Sequence, residues 1–236
     1  MSRFFVSFAE SITDMVKKKR NYKITPKLRA RYSSYRVQQA LRNAGIDANP
    51  TPVNRVSATE FYNAISKGKR SNKNGWMVDV HTIKEYRGMK CFLTSDGLSG
   101  VAVKPNGDVV SVFSAGGGRK MAKLIPYAVA NGGRKLDCFG GGLQDMYARY
   151  GAKATGKTPF NEEYAPDGWD RSMGKPDVVA MTLPSSLDEL VKSYDKNAKV
   201  NMGRVRSFSD YDKMIDHRDS VLARRRGSSA MGLLAG

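Results

Sequence analysis

The sequence predicts an α/β fold: a mixed, mostly antiparallel sheet flanked by helices, with basic helical arms at the N- and C-termini. Three observations predict it. Strand and helix signals alternate through residues 71–191; one pair of strands is joined by an Asn-Gly turn; and positive charge gathers at the two ends of the chain. The formal net charge is +18. Residues 1–70 hold 15 Lys and Arg against 4 Asp and Glu, a net +11. Residues 71–191 hold 15 against 13, a net +2, and residues 192–236 hold 10 against 5, a net +5. A near-neutral centre between polycationic ends reads as a globular domain with arms suited to an anionic partner. On this basis residues 1–55 form a basic helical N-terminal arm, 56–191 an α/β domain with its core in 71–191, and 192–236 a basic C-terminal arm with a helix.

In the N-terminal arm, Phe4, Phe5, Phe8, Ile12, Met15 and Val16 recur at three- and four-residue steps and end at Lys17-Lys18-Lys19-Arg20. That spacing predicts a helix with one apolar face. Thr25 as N-cap, Pro26 at the first helical position and Gly45 as a stop predict a second helix. It carries Leu28, Tyr32, Tyr35 and Leu41 among Lys27, Arg29, Arg31, Arg36 and Arg42. Arginines interleaved with tyrosines suit phosphate contact and base stacking; they suit docking onto a protein equally. A membrane-surface role for the first helix stays open, although its cations bunch at one end rather than along a face. Asn49-Pro50-Thr51-Pro52 reads as a linker.

The domain opens with Ser57-Ala58-Thr59-Glu60, a capping box that starts a helix running to about Lys67. Lys67 to Gly75 reads as a polar, basic loop. Trp76–Val80 and Lys90–Leu93 are predicted strands. Leu98–Val103 and Asp108–Phe113 flank Lys104-Pro105-Asn106-Gly107 and predict a hairpin. A glycine-rich loop, Ala115 to Lys120, then leads into a helix from about Met121 to Asn131. Lys135–Phe139 is the next strand, Leu143–Tyr150 a short helix closed by Gly151, and Asp177–Leu183 the last strand. In the C-terminal arm, Ser209 and Asp212 resemble a capping box for a helix to Arg226. Its Arg224, Arg225 and Arg226 complement the negative helix end.

Composition excludes several classes. Cys91 and Cys138 lie far apart and His81 and His217 are the only histidines, so neither a disulfide framework nor a metal centre is expected. No run approaches the roughly 20 apolar residues of a membrane span, and no signal-peptide pattern leads the chain.

The order hairpin, glycine-rich loop, helix, strand, short helix with Tyr then Gly resembles the GNAT superfamily, whose members move acetyl groups from acetyl-CoA to amines. Leu143-Gln144-Asp145-Met146-Tyr147-Ala148-Arg149-Tyr150-Gly151 is similar to the family segment in which a tyrosine precedes a glycine by four residues. The resemblance implies that Tyr147 is the general acid toward the CoA thiolate. It also implies acetyl-CoA between the central strands, with Val112 and Phe113 beside it and Gly116, Gly117, Gly118, Arg119 and Lys120 at its pyrophosphate. Successive backbone N–H groups before a helix are what such a loop needs. This loop departs from the family pattern, since its three glycines are consecutive rather than alternating. No motif nominates a general base.

Asn131–Cys138, Thr158–Trp169 and Pro176–Val179 further resemble a GNAT-related group in bacteriophages and prophages. That resemblance implies the host cytoplasm or the phage particle as location. Two functions follow from it. One is an N-acetyltransferase. The other is a catalytically inactive GNAT-fold structural protein of a phage particle. In the second, basic arms led by Lys17, Lys18, Lys19, Arg20, Arg29, Arg31, Arg36, Arg224, Arg225 and Arg226 bind nucleic acid or assembly partners.

Overall fold

The structure is a computed structural model and describes residues 26–115 and 122–234. The first predicted helix, the Lys17–Arg20 cluster and Gly116 to Met121 lie outside the described residues.

Four strands form an antiparallel sheet in chain order: β1 (Val53–Arg55), β2 (Lys90–Thr94), β3 (Ser99–Val103) and β4 (Val109–Ser114). Three more, β5 (Lys135–Phe139), β6 (Lys153–Thr158) and β7 (Val178–Thr182), form a second antiparallel sheet in the order β5-β7-β6. The expectation of one mixed sheet is thereby corrected. Among the described residues the two sheets meet through one parallel bridge, Asp108 with Lys135. A bulge explains why pairing stops there. The β3–β4 register shifts between Gly100 and Ala102, and opposite that shift Ser111 takes φ 53°. Bulges bend a strand and increase its twist, which turns β4 away from a continuing neighbour.

The predicted hairpin is present: Lys104 donates its backbone N–H to Asp108 at 2.8 Å, and Gly107 supplies the positive φ of 88° that the turn requires. The Ser57–Glu60 capping box is also present and opens α2 (Ala58–Ser71), which runs four residues further than expected. A second capping box, Thr82 with Glu85, opens α3 (Ile83–Arg87). The predicted helix from Pro26 is α1 (Pro26–Asn43). The segment expected as a strand at Trp76–Val80 instead begins with a 3-10 turn, Gly75–Met77, which buries Trp76. Another 3-10 turn, Ala122–Leu124, precedes α4 (Ile125–Ala130) where one longer helix was expected. Next come α5 (Leu143–Ala148) and α6 (Leu187–Ser193), the latter capped by Ser186. Last is α7 (Tyr211–Leu234). Its N-terminal cap is Asp210, whose side chain accepts from the Lys213 N–H at 2.9 Å, in place of the expected Ser209.

Alternation along the strands sorts the core onto two faces. Phe92, Val101, Val103, Leu136, Val179 and Met181 pack with Val37 and Leu41 of α1, Ile125 of α4 and Leu190 of α6. Their strand neighbours Cys91, Leu93 and Ala102 face the other way, with Phe113, against Phe61 and Ile65 of α2 and Tyr86 of α3. On that second face α7 covers β6 and β7, with Met214 fully buried. Stretches read from charge as parts of two arms, 26–55 and 192–225, thus contribute Val37, Leu41, Val53, Met214 and Arg218 to the buried interior.

Candidate functional site

The place where β4 and β5 part is the candidate site: the two strands share the Asp108–Lys135 bridge and no ladder beyond it, so their facing edges must find other partners. On the β4 side the bulge at Ser111 is held from outside the strand. The Ser111 hydroxyl donates to the Asp79 carbonyl at 3.0 Å and lies 2.8 Å from the Tyr86 hydroxyl. The Tyr86 hydroxyl in turn accepts the backbone N–H of His81 at 3.1 Å. Burial raises the Tyr86 pKa, against the hydrogen bonds with Ser111 and His81 that lower it. Ser111 is the one non-glycine residue with positive φ among the described residues. A left-handed serine costs on the order of 1 kcal/mol, and the surrounding structure must over-determine it.

Of the cofactor residues expected on β4, Phe113 is buried against Phe61, with ring centroids 5.8 Å apart, and Val112 is half-buried at the edge of the first face's core. Gly116, Gly117, Gly118, Arg119 and Lys120 lie outside the described residues. On the β5 side the Gly140 N–H donates to the Asp177 carbonyl at 2.7 Å, and Gly142 leads into α5. Tyr147 of α5 is buried in the same core cluster as Leu136 and Cys138 of β5. Loss of hydration raises its pKa, with smaller contributions from Cys138 and Asp137 in the same direction, so the phenol keeps its proton. Cys138 is raised in the same way by burial.

Beyond the end of β5 a row of rings runs outward. Trp76 and Phe139 have centroids 5.2 Å apart, Phe139 and Phe160 5.9 Å, and Phe160 and Trp169 4.8 Å. The Trp169 indole N–H donates to the Gly174 carbonyl at 2.8 Å, and Glu162 pairs with both Arg171 and Lys175. These contacts order the 159–177 segment beside the junction.

Sequence reasoning missed the most charged part of the site. Beneath the bridge, Arg218 of α7 is 1% exposed and reaches Asp108 at 3.3 Å, Asp137 at 3.8 Å and Asp219 at 2.9 Å. Lys135, also buried, lies 2.6 Å from Asp219 and 3.9 Å from Asp108. Desolvation raises the Asp137 carboxyl despite the opposing pull of Arg218. Burial alone would raise Asp219 too, but hydrogen bonds from Lys135 and Arg218 outweigh it and hold that carboxyl below its ordinary range. Arg218 sits in a run of alternating charges, Asp216-His217-Arg218-Asp219, that reads as a solvated helix face. The apolar Met214 and Ile215 one turn earlier and Val221 and Leu222 one turn later hint that this face is inward.

Of the cations expected to meet a partner, those described lie on two helices. Arg29 and Arg31 belong to the first half of α1, and Arg36 is exposed on the same helix. Arg224 and Arg225 are exposed on α7, where Arg225 donates to the Thr182 hydroxyl at 2.8 Å; Arg226 follows in the same helix. No group of three or more His, Cys, Asp or Glu suited to a metal ion occurs among the described residues, and no helix among them is long and apolar enough to cross a membrane. Comparison of the chain with protein-family models, curated proteins and solved structures gave no match.

Proposed function

We propose that the chain is a GNAT-like protein of the bacteriophage type that transfers an acetyl group from acetyl-CoA to an amine, with the thioester seated where β4 and β5 part. One observation carries the reading. Two parallel strands touch at a single bridge, with the glycine-rich sequence following the first and the Tyr147 helix following the second. In this reading a neutral amine attacks the thioester carbonyl. The new C–N bond forms, the C–S bond breaks, and the departing thiolate takes its proton from the Tyr147 hydroxyl. The amide nitrogen releases its surplus proton to solvent, and solvent returns a proton to the Tyr147 phenolate. Backbone N–H groups of β4 beyond the bulge would stabilise the developing oxyanion, and positioning of the amine supplies the remainder.

The test is calorimetric titration with acetyl-CoA, followed by acetyl transfer to a panel of primary amines. Tyr147→Phe is expected to lower turnover by about 10²–10⁴-fold while leaving acetyl-CoA affinity intact, the signature of a general acid. A chain that does not bind acetyl-CoA ends the proposal. Burial of Tyr147 favours a second reading, because a phenol whose pKa is pushed far up is poorly matched to proton transfer near neutrality. In that reading the domain is a catalytically inactive scaffold of a phage particle, and its basic ends bind nucleic acid or assembly partners. Its mark is DNA affinity that falls with salt at a slope of about −0.9 per phosphate neutralised, and that flattens when Lys17, Lys18, Lys19 and Arg20 become alanine.

A further inference from the structure

One cationic segment was absorbed by neither reading. From Phe61 to Val78 the chain contains no Asp or Glu but carries Lys67, Lys69, Arg70 and Lys73. These residues span the end of α2 and the turn after it, and that end is pinned to the exit of β4. A Cβ on Gly68 would lie 2.8 Å from Phe113 Cδ2 and 3.6 Å from the Ala115 Cβ, so helix and strand approach as closely as a bare glycine permits. The Asn72 side-chain amide donates to the Ser114 carbonyl at 3.0 Å. The same side chain's oxygen accepts the Asn74 N–H at 2.9 Å, and the Gly75 N–H donates to the Asn72 carbonyl at 2.8 Å, which fixes the turn carrying Lys73. Lys69 is committed inward, donating to the Val78 carbonyl at 3.1 Å. Lys67, Arg70 and Lys73 are exposed and have no ion-pair partner among the described residues.

We propose that Lys67, Arg70 and Lys73 form a phosphate-binding patch at the exit of β4, and that it takes the phosphate-bearing end of the nucleotide thioester. The assignment to CoA rests on the acyltransferase reading; the phosphate chemistry rests on the patch itself. Cations at the end of a helix ordinarily complement its dipole, and Lys69 and Arg70 serve that purpose. Lys73 lies beyond the helix, in a turn tied to the last carbonyl of β4, where the dipole gives no reason for it. Three solvated cations with no carboxylate in the surrounding 18 residues of chain repel one another, and an anion of two or more charges relieves that repulsion. A ligand lying along β4 toward its end would bring its phosphates to this point.

The experiment titrates the full chain and a Lys67→Ala/Arg70→Ala/Lys73→Ala variant with CoA, with adenosine 3′,5′-bisphosphate, with pantetheine and with a short DNA duplex, at low and moderate salt. Circular dichroism and thermal melts confirm that the variant folds. The patch predicts that CoA and the bisphosphate bind the variant roughly 10- to 100-fold more weakly, the sum of three partly exposed ion pairs, while pantetheine binding is unchanged. Unaltered CoA and bisphosphate affinity overturns the proposal. So does a loss confined to a DNA duplex, which would make the patch part of a nucleic-acid surface. If the wild type binds the bisphosphate through these residues but neither CoA nor pantetheine, the patch stands and the acyltransferase reading falls. A wild type that binds no phosphate-bearing probe removes the patch.

Discussion

At the scale of single residues, Arg218 has the most to hold. It is almost wholly buried, and it is the common partner of Asp108, Asp137 and Asp219. Removing one partner of a buried ionic group is far costlier than removing the whole group, because the remaining charges stay desolvated and uncompensated. Arg218→Ala is expected to cost about 3–5 kcal/mol. For a chain of this size that lowers the melting temperature by on the order of 10 °C, as a thermal melt would read. Arg218→Lys is expected to recover only part of it, since a compact ammonium lacks the reach and the planar fork by which the guanidinium spans the three carboxylates. Asp219 makes the site acid-sensitive. Its folded pKa is depressed, so the unfolded chain binds a proton more readily than the folded one. Its contribution is therefore full above the ordinary carboxylate pKa and is lost as pH falls through the lowered folded value. Asp219→Asn should flatten that limb of the stability–pH curve and leave the neutral range least changed in slope. An unaltered acid limb would show that other carboxylates set it.

At the scale of elements, what was legible followed from local chemistry. The hairpin at Asn106-Gly107, the cap at Ser57 and the strand Lys135–Phe139 each carry their signal within a few residues, and each is present. The misses have physical reasons. β1 has three residues and owes its existence to pairing with β2, which no local pattern encodes. β6 reads Lys-Ala-Thr-Gly-Lys-Thr and contains a glycine that ordinarily weakens a strand. Here that glycine admits the Phe208 ring, which a Cβ would meet at 2.7 Å. α3 was legible in principle, because Thr82 and Glu85 have the capping-box spacing. It is short, and its importance is indirect: Tyr86 on it holds the Ser111 bulge. Thr82→Ala is expected to cost about 1 kcal/mol. It should also speed hydrogen exchange at the backbone amides of β4 around Ser111 more than at those of β7. Equal acceleration in both strands would mean that the cap supports the fold generally and the bulge not at all.

At the scale of the whole molecule, charge along the chain proved a poor guide to where the interior ends. Local composition counts a lysine or arginine the same way whether it faces water or a carboxylate. The 192–236 stretch carries a net +5, yet Met214 and Arg218 within it are buried and residues 206–208 pair with Lys157 at the edge of β6. Around the junction only the order of elements, β4 then β5 and the Tyr147 helix, was legible. The ionic cluster beneath it joins residues more than a hundred positions apart and has no sequence signature. Truncation after Phe208 tests how far the last helix belongs to the fold. Loss of α7 uncovers one face of β6 and β7 and leaves Asp108 and Asp137 facing each other without their arginine. The truncated chain is expected to bind a hydrophobic dye and to lose a cooperative melt. Retention of a sharp transition would make α7 an appendage.

The single backbone bridge between the two sheets has a consequence for the order in which the chain acquires its shape. Strands β1 to β4 lie within residues 53–114, and each pairs with its neighbour in sequence, so this sheet can close while the rest of the chain is still within the ribosome. The second sheet must wait for β7, which sits between β5 and β6. Arg218 emerges about a hundred residues after Asp108. Until it arrives, Asp108 has Lys135 alone of its two cations and Asp137 lacks its arginine. Long-range contacts of this kind form late, after loop closure. Pulse-labelled hydrogen exchange during refolding should therefore protect β2 and β3 first and the amides flanking the Asp108–Lys135 bridge last, the seam sealing when the final helix swings in.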